Sequence, residues 1–282
     1  MHNDVMRLLA GMDKLSSVPV VYTQLDEAIR NSRVSSGHIS AIISQDTALT
    51  ARLLRIVNSA FYSFPRKIDT ISRAVIIVGT QQLRDLALAT SIISSFQNIP
   101  ERHLTVESFW QHSIACGLAS RIIASYFKEP NVERYFVAGI LHDIGRMVLV
   151  TKAPEQSDRI FTAAADANKP LSQIEQDILG YDHAAVGSSL IQLWQLPKSF
   201  EEIIMYHHTP RQATLYALET SVVHIADAIV HAMELGNSGE HCVPPISEEA
   251  WESIGLSIDL LPYIMDMVDK QFNDAVNGFI IH

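Results

Sequence analysis

Val137-Ala138-Gly139-Ile140-Leu141-His142-Asp143-Ile144-Gly145-Arg146 reads as an apolar helix carrying one polar doublet between glycines. An imidazole and a carboxylate set among Ile, Leu and Val must be paired, hydrogen-bonded or bound to metal, since leaving them bare costs on the order of several kcal/mol. The rest of the chain supplies candidate partners. Of its twelve histidines, His112, His142, His183, His207, His208, His224 and His231 fall in one central span.

Working outward, helical periodicity dominates and no strand pattern appears in the first hundred residues. Leu15 to Pro19 reads as an entry loop, followed by a helix through Leu25, Ala28 and Ile29 and a second from Ile39 to Ser44. Asp46 is placed to cap the next helix, whose Leu49, Leu53, Ile56, Val57 and Ala60 form one stripe. Pro65 ends an aromatic turn, Asp69 or Thr70 caps a helix through Ala74 to Ile77, Gly79 reads as a left-handed stop and Thr80 as a new cap. Leu83 to Ile93 is apolar all round and therefore reads as buried. Downstream, the pattern predicts a long helix over Thr105–Phe127, another ending at Gly180, and one capped by Asp182 with His183 in its first turn. A helix from Ser199 ends at His207-His208, and one or two closing helices lie between Ile246 and Ile281. The expected architecture is all-α and multi-helical, an N-terminal bundle (1–104) packed on a second helical unit (105–282).

The 282 residues are 48% hydrophobic and 18% charged, enough for a packed core. A net charge of −10 argues against a nucleic-acid partner, which wants a Lys/Arg surplus. Met1 to Asp13 lacks signal-peptide organisation and no apolar run approaches a bilayer-spanning length, so a cytoplasmic protein without membrane attachment is expected. Cys116 and Cys242 lie far apart and read as reduced thiols, Cys116 as core filler.

Singly, the polar candidates are ambiguous. His112 alone reads as a surface or half-buried histidine. His207 and His208 suit either the negative end of a helix dipole or a metal. His224, Asp227 and His231 share a helix face, where a solvated face accounts for both histidines. Asp227 in an apolar segment is harder to dismiss.

Asp46-Thr47-Ala48-Leu49-Thr50-Ala51-Arg52-Leu53-Leu54-Arg55-Ile56-Val57-Asn58-Ser59-Ala60, followed by Ile68 to Gly79, resembles the N-terminal half of HDOD domains, bacterial signalling-associated modules of the HD superfamily. The resemblance runs from about Leu15 to Arg211, with Asp46-Thr47 where the pattern usually has Asp-Pro. It implies that His112, His142, Asp143 and Asp227 correspond to the H…HD…D set that holds a divalent metal. His183 and His207 or His208 correspond to the extra histidines of the two-metal branch, which includes HD-GYP phosphodiesterases. One or two ions of Fe, Mn, Zn or Ni are thus implied, with Asp143 and Arg146 as the catalytic candidates. There are departures. Thr209-Pro210-Arg211 stands where HD-GYP enzymes carry their signature, and Arg146 replaces the usual Lys. HDOD domains are generally viewed as non-catalytic, so the resemblance implies a regulator binding a signalling protein or a small phosphorylated ligand. The alternative is a metal-dependent phosphohydrolase, a phosphodiesterase acting on a nucleotide or cyclic nucleotide. Oligomeric state is not legible.

Overall fold

The computed structural model describes residues 2–10, 19–31, 35–96, 103–166 and 169–280. Most of the expected entry loop, residues 15–18, lies outside them. Among the described residues all regular structure is helical and no strand occurs. The N-terminal half contains α1 (His2–Leu9), α2 (Val20–Arg30), α3 (Ser36–Ser44), α4 (Thr47–Val57), α5 (Ile71–Val78) and α6 (Thr80–Ser95). Then come α7 (Val106–Tyr126), α8 (Val132–Leu141), α9 (Ile144–Lys152), α10 (Pro154–Asp166), α11 (Leu171–Leu179), α12 (His183–Leu193), α13 (Lys198–Tyr206) and α14 (Ala217–Ala232). The chain closes with α15 (Glu248–Ile254) and α16 (Leu261–Phe279).

The helix starts follow from side-chain oxygens that accept first-turn N–H groups. Asp46 accepts from Leu49 N at 2.9 Å, Thr70 from Arg73 N at 3.3 Å, Thr105 from Ser108 N at 3.1 Å and Asp182 from Ala185 N at 2.9 Å. Gly79 departs from expectation. Its φ of 106° and ψ of 154° lie outside the left-handed helical well, and it both ends α5 and precedes α6, so Thr80 is already helical. An L side chain avoids that backbone, which is why glycine serves as the hinge.

The molecule is built around α7, which packs on α8, α14 and α16 and is buried over most of its length. Where α7 crosses α8, a Cβ on Gly139 would stand 2.7 Å from Gly117 Cα and 2.8 Å from Cys116 O. The two backbones are in contact, and only glycine on both sides permits it. The aromatic turn after α4 docks here as well. Tyr62 Oη donates to the buried Glu133 at 3.0 Å, and the Arg121 guanidinium sits 4.1 Å over the Phe61 ring. Helix α16 lies across α4 and α7, with Gly278 against Ile56 and Phe279 against Phe136. One continuous apolar core runs from Val5 to Phe279, and a small satellite (Ile160, Phe161, Ala164, Leu171, Ile174) joins α10 to α11.

Candidate metal centre

The opening stretch is not one helix. Helix α8 ends at Leu141 and α9 begins at Ile144, with Asp143 at φ −99°, ψ 9° between them. The break has a function. On a continuous helix neighbouring side chains diverge by about 100°, whereas here His142 and Asp143 face one point, His142 Nε2 lying 3.4 Å from Asp143 Oδ2.

Helix α9 then lies against α12. A Cβ on Gly145 would fall 1.9 Å from His183 O and 2.7 Å from Gly187 N, so glycine alone lets the first turn of α12 reach the doublet. His183 Nε2 comes to 2.9 Å from Asp143 Oδ1. The end of α13 brings His207 Nε2 to 3.6 Å from that oxygen, and His208 Nε2 to 2.9 Å from His183 Nε2. From the other side, α7 supplies His112 and α14 supplies Asp227, whose Oδ1 lies 3.1 Å from His112 Nε2 and 3.4 Å from His142 Nε2. His112, His142, Asp143, His183, His207, His208 and Asp227 therefore converge in one cluster. His142, Asp143, His183 and His207 are at most 1% exposed.

The donor set fits a cation. A carbonyl or carboxylate oxygen facing an imidazole accepts the ring proton, leaving the other nitrogen with its lone pair. His142 Nδ1 donates to Gly139 O at 2.6 Å, His183 Nδ1 to Glu175 Oε2 at 2.5 Å and His207 Nδ1 to Ile204 O at 2.7 Å. All three aim Nε2 inward at Asp143. Both Asp143 oxygens and His142 Nε2 are buried without a hydrogen-bond partner. Lone pairs and carboxylate oxygens crowding one point repel unless a positive charge sits among them.

The electrostatics agree. Burial opposes ionisation of Asp143, yet Arg146, His142 and His183 hold its carboxyl well below the usual range. Asp227 is likewise held down against burial by His231 and by the His112 and His142 rings beside it. His112 is pushed down to about 4 by burial, and burial also lowers His207 and His208, so these rings are neutral. Burial and Arg146 oppose protonation of His183, but Glu175 and Asp143 outweigh them and raise it to about 9. Protons and a divalent cation thus compete for the same inward atoms.

Two members of the cluster escaped sequence reasoning. Glu175, 2% exposed, accepts from both His183 N (2.7 Å) and His183 Nδ1. The available signal was a lone carboxylate beside Leu171 and Ile174 on an apolar stripe. His231 is not on a solvated face. Its Nδ1 lies 3.0 Å from Asp227 Oδ1, one helical turn away. His224 is also buried, donating from Nδ1 to His207 O and accepting at Nε2 from Ser247 N, so it ties three segments together.

Arg146 is 2% exposed and turned inward. Its Nη1 donates to Ser238 O (2.8 Å) and Oγ (2.9 Å) and lies 3.3 Å from Asp143 Oδ2. Ser238 Oγ is also 3.1 Å from His231 Nε2. The loop following α14 is thereby fastened over the cluster. Beside it a cavity of about 270 Å³ is lined by His112, His231, Glu234, Ser238, Glu240 and His241.

The HDOD domain profile matches residues 15–210. An uncharacterized protein of Treponema pallidum (strain Nichols) is 26% identical over 225 residues, 79% of this chain and 43% of that protein. The chain thus spans less than half the length of this curated relative. The crystal structure of an HDOD domain protein of unknown function from Geobacter sulfurreducens superposes with a TM-score of 0.83 at 24% identity, covering 100% of this chain and 98% of that one. A candidate phosphohydrolase from Shewanella amazonensis SB2B gives a TM-score of 0.76 at 24% identity, covering 97% and 98%. At such identities these likenesses establish the shared fold.

Proposed function

The chain belongs to the HDOD domain family, and on that footing we propose that it is a regulatory module of a bacterial, cytoplasmic signalling system whose His/Asp centre holds a divalent cation as part of its architecture. One observation carries this reading: Asp143 and the three histidines that face it are sealed. With His142, Asp143, His183 and His207 at most 1% exposed and Arg146 fastened to Ser238, a phosphoester has no route to Asp143 while the loop after α14 stays in place. The inward guanidinium neutralises Asp143 and anchors the loop, so its Nη1 is engaged by Ser238 and Asp143 and not turned toward a phosphate.

His112, His142, Asp143 and Asp227 would hold one ion, and His183, His207 and His208 extend the donor set for it or for a second. A bound divalent cation supplies charge neutralisation and, in hydrolytic sites, Lewis acidity. The residues themselves tie six segments to one point: α7, the α8–α9 junction, the starts of α9 and α12, the end of α13, and α14. A signalling protein or small phosphorylated ligand is the proposed partner, recognised by a surface whose geometry the centre fixes.

A second reading, a metal-dependent phosphohydrolase, is favoured by the cavity that reaches His112 and His231. In that case Asp143 orients the hydrolytic group and Arg146 must swing from Ser238 to the phosphate. One experiment separates the two. Purified under anaerobic, metal-replete conditions, the protein is expected to carry Fe, Mn, Zn or Ni, to lose it in His142→Ala and Asp143→Ala, and to leave a generic phosphodiester intact. Absence of metal from the wild type refutes the cation centre. Turnover lost in both variants refutes the regulatory reading in favour of the hydrolase.

A further inference from the structure

We propose that Cys116 belongs to the centre as a sulfur ligand, so that the resident ion is one that accepts thiolate (zinc, cobalt or ferrous iron) in preference to magnesium, calcium or manganese. This rests on the reading that the His/Asp cluster holds a cation. Cys116 follows His112 by four residues on α7, so the two side chains share the face that points at the cluster. The glycine crossing of α7 and α8 carries it there. Cys116 O touches the crossing, and His142 lies one turn beyond Gly139 on the other helix.

Cys116 is 0% exposed, and its Sγ, a ring nitrogen of His142 and a carboxylate oxygen of Asp227 all lie within 4.8 Å of one another. Independently, His142 Nε2 is fully buried, partnerless and aimed into the cluster. With zinc–sulfur and zinc–nitrogen bonds of about 2.3 and about 2.0 Å, tetrahedral neighbours stand about 3.5 Å apart. Donors already inside 4.8 Å therefore close by about an ångström, which side-chain rotation supplies. As the metal–sulfur bond forms, the thiol proton leaves to solvent. Thiolate ligation selects borderline-soft ions, whereas an all-oxygen or oxygen-rich set suits magnesium, calcium and manganese.

The test is cobalt substitution of the full chain, anaerobically and with a non-chelating reductant. Wild type is expected to bind Co(II) stoichiometrically by elemental analysis and to show a sulfur-to-cobalt charge-transfer band in the near ultraviolet. Cys116→Ser and Cys116→Ala should lose the band while retaining Co(II), and Cys242→Ser should keep both. If the Cys116 variants fail to fold, Cys242→Ser decides, because Cys116 is then its one thiol. Cobalt bound without the band, or a band that survives Cys116→Ser, overturns the ligand assignment and leaves the His/Asp centre standing. A wild type that binds no Co(II) overturns both.

Discussion

Removing the Glu175 carboxylate tests how the centre is held. Its Oε2 accepts from His183 N at 2.7 Å and from His183 Nδ1 at 2.5 Å, with both residues almost wholly buried. Glu175→Ala leaves two buried donors unsatisfied at about 1–3 kcal/mol each, hence a loss of roughly 2–6 kcal/mol of stability. Glu175→Gln keeps the shape and one acceptor, so its stability loss should sit near the lower bound. Its effect on the metal should still be large. A carboxylate behind a ligating imidazole fixes the tautomer and raises its basicity, and losing such a partner costs about 10–100-fold in affinity, or about 1.4–2.7 kcal/mol. Competition with a chromogenic zinc chelator at pH 7.5 measures this directly, with thermal unfolding of the metal-free proteins as the control. A zinc affinity for Glu175→Gln within twofold of wild type refutes the idea that Glu175 tunes His183.

Other expectations follow from the same geometry. Gly145→Ala forces a methyl against His183 O and Gly187 N, both backbone, so α9 and α12 must separate. A stability loss of about 1–3 kcal/mol or more is expected by chemical denaturation, with metal content falling in parallel. In metal-free protein His183 titrates near 9, above its unfolded value of 6.5, so its stabilising contribution is complete below pH 6.5 and lost as pH rises towards 9. The melting temperature of metal-free protein should fall across that window and that of zinc-loaded protein should not. A gap between the two that narrows with rising pH contradicts the competition between proton and cation. Ser238→Ala removes the hydroxyl shared by Arg146 and His231 but keeps the carbonyl contact, costing about 1 kcal/mol. Metal extraction by chelator should accelerate while circular dichroism stays unchanged.

The all-helical architecture was legible because its signals are local. Asp46 and Asp182 cap as their spacing predicts, and of the stripe Leu49, Leu53, Ile56, Val57 and Ala60 the first four are buried, whereas Ala60 lies in the turn beyond the end of α4 and is half-buried. The cluster was legible through the order of its members and the family resemblance, since His112 and Asp227 are 115 residues apart and no local pattern joins them. What escaped depends on neighbours brought in by folding. The break at His142-Asp143 is invisible to periodicity because both flanking segments are apolar. Glu175 and His231 resembled ordinary polar positions until His183 and Asp227 were placed beside them. His224 resembled a solvated residue because its partners, His207 O and Ser247 N, come from other segments.

Helix α16 bears on how the chain acquires its fold. Asp274 accepts from Ala60 N at 3.2 Å and Asn277 O accepts from Arg55 at 3.2 Å, pairs separated by 214 and 222 residues. During synthesis α4 therefore keeps an apolar flank uncovered until residue 279 has left the ribosome, although the histidine and aspartate segments, ending at 231, emerge earlier. Such long sequence separation slows folding and prolongs exposure of partly assembled intermediates. The segments that carry the cluster histidines and Asp227 therefore precede α16 in synthesis, while the flank of α4 that Gly278 covers at Ile56 waits for it.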